Sequence, residues 1–186
     1  MCLTLLQDSR LYEFLLTIDQ EYAEAARAAG CACGGRVDRS DYERKPRGGP
    51  AGLGPEYEKR ISFCCAVEGC RSRRTPPSVR FLGRRVYLGA VVLLVSAMQG
   101  GITDKRASEL RERLGVSRRT LLRWRTWWRE DFPASDFWKR ERSRFMPPLD
   151  HGHLPASLLK RFIDVGDRSR LIPALSFLSP ITTQSC

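Results

Sequence analysis

Two sets of side chains in this chain have types and spacings that could do chemistry. One is a double cluster of cysteines, the other a group of arginines on one face of a helix. The 186 residues contain seven cysteines. CACGG opens the first cluster at Cys31, and CCAVEGC carries the second from Cys64 to Cys70. A closed structural zinc site needs four ligands, and thiolates suit it. Close cysteine clusters separated by strand-like sequence and a loop are the pattern of the two knuckles of a zinc ribbon. Cys31, Cys33 and Cys70 supply three ligands. The fourth is Cys64 or Cys65, and Cys65 is preferred because neighbours on a strand project to opposite faces. Gly34 and Gly69 let the backbone fold toward sulfur. The spacings are C-x-C and C-x4-C where ribbons commonly have C-x-x-C, so unliganded buried cysteines or a disulfide are the competing readings. A redox pair is the weaker option, since no C-x-x-C opens a helix. Cys2 and Cys186 lie at the termini and are spare. His151 and His153 form an H-x-H that reads as a solvated loop ahead of a metal site.

The second set lies in the stretch from Thr103 to Trp128, which reads as a helix, a tight turn and a second helix. Gly115 falls where the turn needs a positive φ, and Ser117 is placed to cap the second helix. Leu110, Leu114, Val116, Leu121 and Trp124 fall where such a unit buries its apolar residues, and Leu121, Trp124 and Trp128 share one face. Trp124, Trp127 and Trp128 read as core rather than base-stacking groups. Ser117, Arg118, Arg119, Thr120 and Arg123 are left on the early outward face. There a DNA-recognition helix presents side chains to the major groove, and an arginine can fork onto a guanine edge. The competing reading is a helical hairpin with a solvated charged face. The position four before Gly115, where crossing helices favour a small residue, holds Arg111. Either its stem snorkels out of the crossing or the register is off by one residue.

The elements that must position these residues follow from charge and periodicity. Lys plus Arg is 32 against 21 for Asp plus Glu, a net charge of +11. The excess sits in residues 31–146, while residues 1–30 are acidic. Arginine dominates it, which suits phosphates and guanine edges. The first residues have no basic n-region and do not read as a signal peptide. Val86 to Met98 is too short an apolar run to cross a bilayer and reads as a buried helix. These features predict a cytoplasmic, nucleoid-associated protein with reduced cysteines and no membrane partner.

The expected fold class is mainly α with a small β zinc ribbon. Residues 1–30 hold an N-terminal helix over 10–29, with Leu11, Phe14, Leu15, Ile18 and Tyr22 as its apolar stripe. Residues 31–85 hold the ribbon, with short strands over Arg36–Tyr42 and Arg60–Cys64. A mobile Gly/Pro-rich loop spans Lys45–Pro55, and a basic linker over 71–85 includes Arg73 and Arg84 as phosphate contacts or solvated side chains. Residues 86–146 hold the helix-turn-helix unit, with helices over 86–99, 104–113 and 117–130 and a short basic helix over 134–146. Residues 147–186 hold a last helix over Leu154–Val165 and a tail without a clear signal.

The order of a cysteine ribbon, then SVRFLGRRVYL, an apolar helix and LGVSRRTLLRW resembles small zinc-ribbon plus helix-turn-helix proteins of bacterial insertion sequences, a transposase-related group. The resemblance covers roughly residues 31–146. It implies binding to mobile-element duplex DNA through the ribbon cysteines and the Arg118, Arg119 and Arg123 face. From the residues themselves no enzyme is expected: no P-loop, Ser/His/Asp order or dinucleotide motif stands in a strand-to-helix context. Two histidines leave little acid–base chemistry near neutral pH. The alternatives are a transcriptional regulator unrelated to transposition, an accessory or truncated subunit acting with a separate transposase subunit, and a ribbon that binds protein or RNA.

Overall fold

The computed structural model describes residues 2–82, 86–98, 103–162 and 167–183. Several helices begin at side chains that satisfy their own first turns. Helix α1 (Cys2–Leu5) is a single turn. Asp8 accepts from Arg10 N–H to start α2 (Ser9–Ala28). Strands β1 (Val37–Arg39), β2 (Tyr42–Glu43), β3 (Lys59–Arg60), β4 (Phe63–Cys65) and β5 (Arg73–Arg74) follow. Helix α3 (Gly89–Ala97) comes next, then α4 (Asp104–Leu114), whose cap Thr103 accepts from Arg106 N–H. Gly115 adopts φ +65° and ends α4, and Ser117 accepts from Thr120 N–H to start α5 (Arg118–Thr126).

Helix α5 runs on through one π-helical turn (Trp127–Asp131) into α6 (Phe132–Ala134). Pro133 explains the wider turn. It has no N–H to offer the Arg129 carbonyl, and the ladder shifts so that Phe132 N–H reaches Trp127 O. Helices α7 (Asp136–Glu141), α8 (Ala156–Leu159) and α9 (Asp167–Leu178) complete the chain.

Helix α3 is the axis of the larger core. Gly89 through Ser96 are all buried, and α5, α8 and α9 pack around the helix. Its all-round apolar sequence requires this, because a helix without a polar face must be covered on every side. Leu110, Leu114, Val116, Leu121, Trp124 and Trp128 enter the same core. Of the expected last helix over Leu154–Val165, only the single turn of α8 is helical among the described residues, and residues 163–165 lie outside them. The tail instead supplies α9, which buries Leu171, Ala174, Leu175 and Leu178.

A second, small core of Ala23, Val37, Ile61 and Phe63 lies under the cysteines. Its sheet has the order β1-β4-β5, all antiparallel, with Val37 opposite Cys65 and Cys64 opposite Arg73. Strands β2 and β3 pair separately. Helix α2 ties the two cores together: Leu11, Tyr12 and Leu15 belong to the larger one and Ala23 to the smaller. The stripe expected on α2 needs correcting. Phe14 is 51% exposed, and Tyr12 and Asp19 take buried positions on the helix.

Candidate metal centre and arginine face

The two cysteine clusters arrive from different elements. Cys31 and Cys33 stand in the turn after α2, Cys65 ends β4, and Cys70 lies in the turn before β5. Alternation along β4 buries Phe63 and Cys65 and turns Cys64 away, where its thiol faces the Arg71 carbonyl at 3.4 Å. Cys31, Cys33, Cys65 and Cys70 come together, with all four sulfurs within 4.8 Å of one another. Cys31 lies 3.7 Å from Cys70, and Cys33 lies 3.5 Å from Cys65. A Zn–S bond of about 2.3 Å sets the sulfur-to-sulfur edge of a tetrahedron at about 3.8 Å. The cluster therefore matches a closed four-thiolate site in size as well as ligand type.

The backbone around the sulfurs is arranged for thiolates. Each sulfur faces the backbone N–H of the residue two positions on: Cys33 for Cys31, Gly35 for Cys33, Val67 for Cys65 and Ser72 for Cys70. A thiolate accepts such bonds well, and they offset the net −2 of a Zn(Cys)4 centre. Gly34 (φ +80°) and Gly69 (φ +85°) supply the left-handed turns. Gly35 serves differently, because a Cβ there would lie 2.4 Å from Val67 Cγ2 and 3.1 Å from Cys65 Sγ.

Ser72 was not singled out by the sequence, and a serine two residues after a cysteine is a faint signal. Its hydroxyl lies 3.2 Å from Cys31 Sγ and 3.6 Å from Cys70 Sγ. The Ser72 hydroxyl and then the Cys33 N–H bring the Cys31 thiol down to about 6. Cys70 is lowered by the Ser72 N–H and hydroxyl. At Cys65 the Val67 N–H pulls the thiol down, but burial and the neighbouring thiols prevail and push it up to about 12.

The face of α5 is built by its cap and its core. Ser117 is occupied as the cap, and Thr120 is buried against it, with the two hydroxyls 3.0 Å apart. Tyr87 locks the turn from below by donating to Gly115 O at 2.6 Å and meeting Trp124 edge-on at 5.2 Å. Arg118 reaches back to Asp104 at 2.7 Å. Arg119 and Arg123 stay exposed, and Arg123 touches Thr120 Oγ1 at 3.4 Å. Neither has a carboxylate partner among the ion pairs of the described residues. Both line a groove of about 750 Å³ whose walls include Val86, Leu122, Trp127 and Asp131. Arg111 is exposed on α4, so its side chain stands clear of the crossing with α5.

The 71–85 segment divides. Arg84 lies outside the described residues. Arg73 donates to Ser40 O and Ser62 Oγ, both at 3.0 Å, and lies over the Tyr42 ring, so its guanidinium braces the two small sheets. Arg80 is fully buried in an ion pair with Asp19 at 2.8 Å. Asp19 also accepts from Ser78 Oγ and Val79 N–H, and Arg80 donates to Glu56 O and Lys59 O. This ion pair is a structural clasp that closes the Arg80 guanidinium to phosphate, whereas Arg73 and Arg74 stay exposed. Arg71 is exposed and holds a left-handed backbone (φ +44°), which brings Ser72 N–H to Cys70. The histidines have separate partners: His151 accepts from Trp138 Nε1 at 3.3 Å, and His153 pairs with Asp150 at 2.6 Å.

No helix among the described residues is long and apolar enough to cross a membrane. Comparison of the chain with protein-family models, curated proteins and solved structures finds no match.

Proposed function

We propose that the chain is a non-catalytic duplex-DNA-binding protein that uses a zinc ribbon and a helix-turn-helix. The observation that carries this reading is the outward face of α5. Its cap and core fix the helix while Arg119 and Arg123 stay exposed and form no ion pair among the described residues. Arginines so placed suit guanine O6 and N7 in the major groove. The four-thiolate cluster holds Zn²⁺ as a structural ion, giving the small second core the cohesion that four buried apolar residues do not supply. The net charge of +11 provides the sequence-independent attraction. The resemblance of residues 31–146 to insertion-sequence proteins adds the setting, a mobile element.

The test is selection of bound sequences from a random duplex pool, with and without chelator, followed by binding of variants. Arg119→Ala and Arg123→Ala should each lose about 1–3 kcal/mol at one base position of the selected duplex and little on a scrambled one. Arg71→Gly, which keeps the left-handed backbone, should weaken both duplexes alike. Equal losses on the two duplexes for the α5 variants would reduce the motif to a helical hairpin and favour the protein-interaction reading.

A further inference from the structure

Most of the large apolar side chains on α5 face inward, but Leu122 is 54% exposed in the middle of the outward face. It is three residues after Arg119 and adjacent to Arg123, so the three side chains fan over one patch of the helix. Val86, at the entry to α3, is 51% exposed and lines the same groove. One exposed leucine is ordinary. Two exposed aliphatics sharing a groove with two guanidiniums and one carboxylate form a mixed apolar and cationic surface.

The major groove of DNA presents the matching surface. Guanine offers two acceptors to an arginine, and thymine offers a C5-methyl, the apolar group on a base-pair edge. Uracil lacks that methyl, and the major groove of A-form RNA is too deep and narrow for side chains to read. Resting on the duplex-DNA reading above, we infer that Leu122 is a specificity-determining side chain that contacts a thymine methyl beside the guanines read by Arg119 and Arg123. The ligand is then thymine-bearing DNA and not RNA of the same sequence.

The experiment uses the full chain and the duplex recovered by selection, with each thymine replaced in turn by deoxyuridine. Removing one buried methyl should weaken the wild-type protein about four-fold at one or two positions. Leu122→Ala should bind the parent duplex about as weakly as wild type binds the substituted one, and should lose nothing further on substitution. Arg123→Ala should keep the methyl effect. Leu122 packs into neither core, so helicity of the variant should match wild type by circular dichroism. A deoxyuridine penalty that persists in Leu122→Ala, or none at any position of a duplex bound with specificity, overturns the inference and leaves the DNA reading standing. Failure to enrich any duplex, or equal binding to scrambled DNA, overturns both.

Discussion

Replacing Cys64 and Cys65 separately by serine distinguishes a metal centre from a chance gathering of thiols. The residues are adjacent and chemically identical, and differ in the face of β4 from which they project. Cys65 Sγ lies 3.5 Å from Cys33 Sγ inside the cluster, whereas Cys64 makes a 3.4 Å contact with the Arg71 carbonyl. Structural zinc binds thiolate-rich peptides with roughly 10–16 kcal/mol. A quarter of that is roughly 3 kcal/mol, so Cys65→Ser should lower zinc affinity by at least ~100-fold. Cys64→Ser removes a weak thiol donor and should stay within about two-fold of wild type. Competition against a chromophoric chelator under reducing conditions measures both, and elemental analysis gives the stoichiometry, expected to be one Zn²⁺ per chain. Metal removal should also separate the two cores. Amide exchange over residues 31–75 should accelerate, while α3, α5 and α9, built on the larger core, keep their protection. Protein purified without metal, or equal losses in the two serine variants, would refute the argument.

Three further outcomes follow from the same geometry. Asp19→Ala strands the buried Arg80 guanidinium and should cost about 3–5 kcal/mol in urea unfolding, with the double variant Asp19→Leu/Arg80→Met less destabilised than the single one; a single-variant loss below about 1 kcal/mol would show the pair to be unimportant. Gly35→Ala sets a methyl against Val67 and two sulfurs and should weaken zinc binding, with partial rescue by Val67→Ala in the same competition assay; no loss of affinity would mean the knuckle yields freely. Gly115→Ala meets no atom within 4 Å, so its cost should be purely conformational, about 1–2 kcal/mol by thermal or urea unfolding, and a neutral result would mean the turn relaxes out of the left-handed region.

What the sequence made legible and what it hid separate along a physical line. Features set by a few neighbouring residues could be read directly. The Ser117 cap, the left-handed Gly115, the choice of Cys65 over Cys64 and the burial of Trp124 and Trp128 each depend on local geometry or on one helical period. Features set by polar pairing between distant residues could not. Phe14 fits the apolar stripe of α2 better than Asp19 does, yet Asp19 is buried because Arg80, 61 positions along, meets it. The same pairing removes Arg80 from the basic linker to which its sequence neighbours assign it. The Lys45–Pro55 loop reads as mobile from its glycines and prolines. In the fold, Arg47 exchanges backbone hydrogen bonds with Val86 and Leu88, and Gly48 packs on Val91, contacts that leave no periodic trace. Pro173 interrupts the pattern of helix α9 and leaves it without a clear sequence signal, although the helix is needed to cover α3. An all-apolar α3 implies a covering element on every side, and the 86–146 unit alone does not supply one. That requirement was visible in VYLGAVVLLVSAM itself, and it makes the C-terminal residues part of the core that positions the arginine face.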